Sequence, residues 1–163
     1  MNKTQFSILI QYNAWANGRI LKSSEQIDPA QFTAPAPTSH GSLRGTLVHI
    51  YGAERVWRTR CDEKISPPAL PSEDEFSFLS LKEVWLAEMQ RMLVYIQGLA
   101  ETDFEQTVIY RNTSGKSFET PLWQILTHVV NHGTQFRSEA AMILSGWGHS
   151  PGDLDMIAFY RQL

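Results

Sequence analysis

The sequence predicts an all-α protein, a four-helix bundle forming a single domain over residues 1–163. Two observations lead to this prediction. Four long stretches place apolar residues three and four positions apart, as on the buried face of a helix. The chain is also long enough for one domain with a sizeable core, and its 42% hydrophobic residues and five tryptophans can fill that core. A small β-hairpin is expected between the third and fourth helices.

The first two helices follow from apolar spacing and from a capping serine. The first is predicted from about residue 4 to residue 24. Prolines and a glycine within residues 28–41 cannot continue a helix, so that segment is predicted to be a linker. Ser42 is expected to cap a second helix of about 20 residues, which puts His49 beside a buried stripe.

The third helix is the most regular in its apolar spacing. It follows a proline-rich connection over residues 62–79, which is long enough to cross the end of a bundle. Ser80 with Glu83 three residues later has the pattern of a capping box, which predicts the start of the helix there.

The remaining elements are a hairpin, the fourth helix and a short terminal helix. Alternating apolar and polar residues on either side of Gly115 predict the hairpin. Thr120 and Pro121 are expected to supply the cap and the first-turn proline of the fourth helix, which should run to about Ser145. The closing residues 154–163 are predicted to make one or two further turns.

Charge and cysteine content exclude several classes of protein. Lys plus Arg is 14 and Asp plus Glu is 17, a net charge of −3 with no basic cluster, which argues against a nucleic-acid partner. The single cysteine, Cys61, cannot form an intramolecular disulfide, and this favours a reducing compartment. No run approaches the roughly 18 apolar residues that a membrane helix needs. We therefore expect a cytoplasmic protein with no membrane partner.

Three histidines on the second and fourth helices are the candidate metal ligands. His128 and His132 are four residues apart and so lie on one face of a helix, while His49 points inward from the second helix. Bundles build metal sites from inward side chains on facing helices. Neutral imidazole binds Zn, Ni, Fe and Cu alike, so the metal stays open. The competing interpretation of each residue is a core histidine with a hydrogen-bond partner.

Other polar residues receive weaker interpretations. His40 and His149 lie in predicted loops and are assigned no function. Glu54 lies five residues beyond His49 and is interpreted as a solvated charge in preference to a partner of the metal site. Cys61 is interpreted as buried filling and not as a nucleophile.

Three segments and the closing residues resemble the DinB-like family of metalloenzymes. The matching stretches, in order, are YNAWANGRIL, LVHIYGAERVW, LWQILTHVVNHGTQFRSE and GHSPGDLDMIAFY. The resemblance implies an up-down-down-up four-helix bundle, commonly a homodimer, with a divalent metal (Ni, Zn or Fe) held by three histidines. It also implies a small-molecule substrate and a thiol-dependent transferase or a hydrolase activity. Bacillithiol or mycothiol would be the low-molecular-weight thiol cofactor.

One ligand position departs from the family pattern. The pattern implies ligands at His49 and His132 and a third ligand four residues later, where this chain has Phe136. Three accounts are open. His128 turns inward to replace the third imidazole; or His49 and His132 bind alone, with Gln135 or water completing a weak site; or the metal is lost and Phe136 fills the core.

Two functions are therefore expected, and whether the chain is an enzyme is left open. The first is a metal-dependent S-transferase or hydrolase, in which the metal lowers the pKa of a bound thiol or water. The second is a non-catalytic, stress-associated dimeric bundle that binds a small ligand or a partner. No catalytic residue can be assigned from the sequence. Phe136 favours the second function, while retention of both His49 and His132 opposes complete loss of the site.

Overall fold

The computed structural model describes residues 2–163, and it is mostly helical with one small hairpin, as predicted. The helices are α1 (Lys3–Ser24), α2 (Pro29–Thr33), α3 (Leu43–Arg58), α4 (Phe78–Gly98), α5 (Leu122–Gly146) and α6 (Met156–Tyr160). Among the described residues, no helix has the length and apolar character needed to span a membrane.

Apolar side chains of the four long helices form two hydrophobic clusters. Helix α1 packs against α4 and α5, and helix α3 packs against the same two helices from another side. Large side chains from separate helices fill the centre, including Phe6 at 1% exposure and Trp85 at 0%. The contact between α3 and α5 brings His49 and His132 together.

The predicted hairpin is confirmed. Strand β1 (Thr107–Arg111) pairs antiparallel with β2 (Ser117–Pro121). The turn contains Gly115 at φ 81°, a left-handed conformation that glycine adopts without a steric penalty. Tyr110 and Phe118 stack across the two strands with ring centroids 5.8 Å apart.

The second predicted helix is confirmed at its start and in its length. The Ser42 hydroxyl accepts a hydrogen bond from the Gly45 backbone N–H at 2.9 Å and so caps α3. Beyond Arg58 the helix continues as a π-helical turn, Thr59–Glu63. It ends at Lys64, whose φ of 59° is left-handed.

The predicted starts of the third and fourth helices are wrong. Ser77, not Ser80, caps α4, because the Ser77 hydroxyl accepts from the Ser80 backbone N–H at 3.2 Å. Thr120 pairs with Val108 in the hairpin, so it and Pro121 end β2 instead of forming the first turn of α5. Ser80 is instead the third residue of α4, whereas Thr120 belongs to the neighbouring hairpin.

The linker before α3 also contains a short helix that was not predicted. Asp28 accepts a hydrogen bond from the Ala30 backbone N–H at 2.8 Å, and Pro29 occupies the first helical position. The terminal helix α6 agrees with the predicted one or two turns.

Candidate functional site

His49 and His132, here called the histidine pair, meet where α3 packs against α5. Their Nε2 atoms are 2.9 Å apart and their ring centroids 4.8 Å apart. At this distance one Nε2–H can donate to the other nitrogen. Two nitrogens that bind one ion at about 2.1 Å would be about 3.0 Å apart at a right angle and about 3.4 Å apart at the tetrahedral angle of zinc. The histidine pair therefore also fits two neighbouring ligand positions of a metal ion.

Both imidazoles are held in their neutral form. Burial, reinforced by His40 and opposed by Glu139, lowers the pKa of His49 from 6.5 to about 4. Burial also lowers the pKa of His132 to about 4, with a further contribution from His49. A neutral imidazole has a nitrogen lone pair that can bind a metal. At neutral pH the histidine pair therefore needs no deprotonation before it binds an ion.

These pKa values predict that the histidine pair contributes less stability as the pH falls. The unfolded chain takes up protons near pH 6.5, whereas the folded pair stays neutral to about pH 4, so stability is lost between these values on acidification. The test compares the unfolding free energy of the native chain with that of a His49→Gln/His132→Gln double variant. We expect the native value minus the variant value to decrease as the pH falls from about 6.5 to about 4. Urea unfolding with EDTA at pH 7.5, 6.0 and 5.0 measures it. A difference that is independent of pH would contradict the prediction.

Phe136 closes one side of the histidine pair. Its ring centroid lies 4.4 Å from that of His49 and 4.6 Å from that of His132. A phenyl ring has no lone pair for a metal. Within residues 2–163, no group of three or more His, Cys, Asp and Glu side chains is arranged to hold a metal ion. The residues present therefore match two ligand positions of the family pattern, and Phe136 does not fit the third.

His128, the other candidate ligand, lies beside the histidine pair and not within it. Its ring centroid is 5.7 Å from that of His132, and it meets the Trp57 ring edge-on with centroids 5.4 Å apart. His128 is exposed, as is Gln135. Metal binding by His128 stays a prediction, and it would require the ring to leave Trp57.

His40 was assigned no function from the sequence, yet it contacts the histidine pair. Its ring stacks on that of His49 with centroids 3.9 Å apart and planes 25° apart, and it lies 5.2 Å from Phe136. His40 and His49 also line a cavity of about 300 Å³, together with Pro71. A histidine in a loop has no helical periodicity, so spacing along the chain could not reveal this placement.

Glu54 is buried, and its interpretation as a solvated charge is wrong. It is 4% exposed. Its carboxylate accepts hydrogen bonds from Asn13 Nδ2 at 2.6 Å, Asn17 Nδ2 at 2.8 Å and Trp85 Nε1 at 2.7 Å. Burial raises the pKa of Glu54, while these hydrogen bonds and Arg137 act in the opposite direction. The partners come from α1 and α4, so the pattern along α3 did not indicate them.

Arg137 completes a buried polar network with these residues. It is 2% exposed, and its Nη1 donates to Asn13 Oδ1 at 2.6 Å and to Asn17 Oδ1 at 2.9 Å. Each asparagine therefore donates to Glu54 and accepts from Arg137. A Cβ at Gly133 would lie 2.5 Å from Arg137 Nη1, so the glycine provides the space for the guanidinium to cross to α1.

The polar network (Asn13, Asn17, Glu54, Trp85 and Arg137) lies next to the histidine pair along both helices. Glu54 follows His49 by five residues on α3, and Arg137 follows His132 by five residues on α5. This offset corresponds to about one and a half helical turns. Because Asn13 and Asn17 of α1 bond to both charged groups, the polar network links α1 with α3 and α5.

Comparison with known proteins finds one matching family model and a related protein. The model of the DinB family matches residues 1–162. Protein DinB of Bacillus subtilis (strain 168) is 22% identical over 160 residues, which cover 93% of this chain and 92% of that protein.

Proposed function

The chain belongs to the DinB family, and from this premise we propose that it binds a divalent metal ion through His49 and His132. We further propose that the bound metal serves a transferase or hydrolase reaction on a small molecule. The observation that carries the proposal is the 2.9 Å separation of two Nε2 atoms on neutral, half-buried imidazoles. Such a pair supplies two nitrogen ligands from facing helices, as metal sites in helical bundles do.

The site is proposed to be weak. Phe136 stands in the third ligand position, and each missing imidazole removes one strong bond to the metal. Water, Gln135 or His128 would complete the coordination. Nickel, zinc and iron all accept imidazole, so the donor atoms favour none of the three.

A bound divalent metal would lower the pKa of a bound thiol or water, so that a nucleophile exists at neutral pH. The histidine pair supplies neutral nitrogens, and Phe136 excludes water from one side. The cavity of about 300 Å³ beside His49 is the proposed position of a small electrophilic substrate. A low-molecular-weight thiol is the proposed co-substrate. Cys61 does not serve as the nucleophile, because burial raises the pKa of its thiol to about 12.

Alanine at either histidine of the pair is expected to abolish metal binding, since it removes one of the strongest bonds of a site that is already weak. Nickel and zinc affinities of the untagged protein would be measured by competition with a chromophoric chelator. Elemental mass spectrometry gives the metal content in parallel. The variants are His49→Ala and His132→Ala, and His149→Ala is the control because it removes a histidine outside the site. Native affinity in both alanine variants would refute the proposal.

A second candidate function is a non-catalytic protein that binds a small ligand or a partner. The observation that favours it is the packing of Phe136 on both rings of the histidine pair. Metal-loaded protein would be incubated with bacillithiol or mycothiol and a panel of electrophiles, and free thiol would be followed. Metal-dependent thiol consumption supports the transferase. Tight metal binding without turnover of any thiol or hydrolysable substrate supports the second function.

Three finer features are also proposed. The up-down-down-up order is supported by contact between α3 and α4, whose connection through residues 64–77 is long enough to let them run parallel. A homodimer is supported by resemblance to the family, and sedimentation equilibrium tests it. A cytoplasmic location is supported by the single, unpaired cysteine.

A further inference from the structure

We propose that Arg60 binds the oxyanion group of a small molecule, a carboxylate or a phosphate, at the junction of α3 and the hairpin. This inference goes beyond the proposed function, because it concerns a different residue and needs no metal ion. Arg60 lies in the π-helical turn that follows α3, and turns of this kind often occur at functional sites. It is 6% exposed, so its charged side chain is largely removed from water.

A second buried arginine, two residues earlier, shows what Arg60 lacks. Arg58 is 4% exposed, and its guanidinium pairs with the carboxylates of Glu88, Glu63 and Asp62. Burial lowers the pKa of Arg60, whereas at Arg58 the hydrogen bonds to Glu88 and Glu63 outweigh burial and raise the pKa. Within residues 2–163, no carboxylate lies within ion-pair distance of Arg60. The acidic residues nearest to it along the chain pair with Arg58 instead.

The contacts of Arg60 do not replace a counterion. Its guanidinium carbon lies 4.6 Å from the centroid of the Trp57 ring and 4.9 Å from that of Tyr110. Its Nη2 donates to the Arg111 backbone carbonyl at 3.0 Å. Aromatic faces and one carbonyl carry only partial negative charge, so they offset part of the cost of burying a full positive charge. An oxyanion would supply the full negative charge.

Two nitrogens of Arg60 have no acceptor within the protein. Nε is one of two buried side-chain atoms of residues 2–163 without a hydrogen-bond partner, and the other belongs to Arg44, which pairs with Asp74 at 2.6 Å. Nη1 also makes no hydrogen bond and, unlike Nε, is not enclosed. A water molecule would satisfy these donors without supplying charge. Guanidinium donors match the oxygens of carboxylate and phosphate, so Nη1 is the first contact for an oxyanion that approaches from solvent.

Trp57 provides a way to detect binding at Arg60. Its ring contacts the guanidinium on one side and meets His128 edge-on, with centroids 5.4 Å apart. An oxyanion at Arg60 changes the charge next to this ring. The indole N–H signal of Trp57 should therefore shift when the site is occupied.

The test follows the Arg60 Nε–H and Trp57 indole N–H signals by NMR in ¹⁵N-labelled full-length protein treated with EDTA. Sodium acetate and inorganic phosphate are the probes, and sodium chloride is the control for ionic strength. We expect saturable shifts of both signals with at least one oxyanion and none with chloride. Arg60→Gln should bind the probe at least about tenfold more weakly, read from Trp57. The matched control, Arg111→Gln, removes an exposed arginine of β1 and should keep native affinity.

The pattern of saturation identifies the ligand or overturns the inference. Saturation with acetate alone assigns a carboxylate, with phosphate alone a phosphate group, and with both an oxyanion of either kind. Shifts that rise without saturation or that chloride reproduces would show that Arg60 binds no oxyanion, and so would native affinity in Arg60→Gln. If Arg60→Gln does not fold, saturation of the Arg60 Nε–H signal in the native chain decides the question. Metal is absent throughout, so failure here leaves the proposed function standing.

Discussion

Replacing Arg137 with methionine is expected to lower the free energy of unfolding by about 3–5 kcal/mol, the cost typical of leaving a buried charge uncompensated. The guanidinium is 2% exposed and faces Glu54 across two asparagines. Its removal leaves the Asn13 and Asn17 side-chain oxygens without their donor. The Glu54 carboxylate also loses the positive charge that offsets the cost of burying it.

Urea unfolding followed by circular dichroism measures this loss. The control is Arg55→Met, an exposed arginine on α3 whose replacement should change stability by no more than about 0.5 kcal/mol. An Arg137→Met/Glu54→Gln double variant should be less destabilised than the sum of its single variants, because the uncompensated charge is gone. Additive effects would show that the two charges are not coupled through the asparagines.

Phe136→His is expected to tighten zinc and nickel binding by at least about tenfold, equivalent to about 1.4 kcal/mol of binding free energy. The introduced imidazole would stand one helical turn beyond His132, where the native ring already contacts both members of the histidine pair. It restores the ligand position implied by the family pattern. Chelator competition on the native chain and the variant, in the same buffer, gives the ratio of affinities.

Phe136→Leu is the matched control, because it removes the aromatic ring without adding a ligand. It should bind metal no more tightly than the native chain does. If Phe136→Leu and Phe136→His tighten binding equally, the phenyl ring obstructs the site sterically and position 136 does not supply a ligand. If metal binds only to Phe136→His, the native chain lacks a third ligand, and the second candidate function, binding of a small molecule or partner, is favoured.

The helices could be predicted because each depends on residues close together in the chain. The apolar spacing of α1 and the Ser42 cap of α3 both indicated elements that the structure contains. The start of α4 was placed three residues late because Ser77 and Ser80 both have capping chemistry and only one can begin the helix. The start of α5 was placed one residue early, because Thr120 pairs with Val108 in the hairpin and Pro121, the last residue of β2, caps the helix.

The candidate site was predictable only in part. The inward faces of two helices, together with the family resemblance, selected His49 and His132, and the structure brings their nitrogens together. The same reasoning assigned no function to His40 and expected Glu54 to be solvated. Both residues depend on contacts with segments that lie elsewhere in the chain.

By itself, the sequence determined that the chain forms long amphipathic helices and a hairpin, and that Phe136 stands four residues after His132. These properties follow from the order of residues along a single segment. Only the tertiary structure decided that Glu54 and Arg137 are buried with α1 between them, and that the His40 ring stacks on His49. The physical reason is that burial of a charge or a ring depends on which distant side chains surround it, and periodicity along one helix does not specify them.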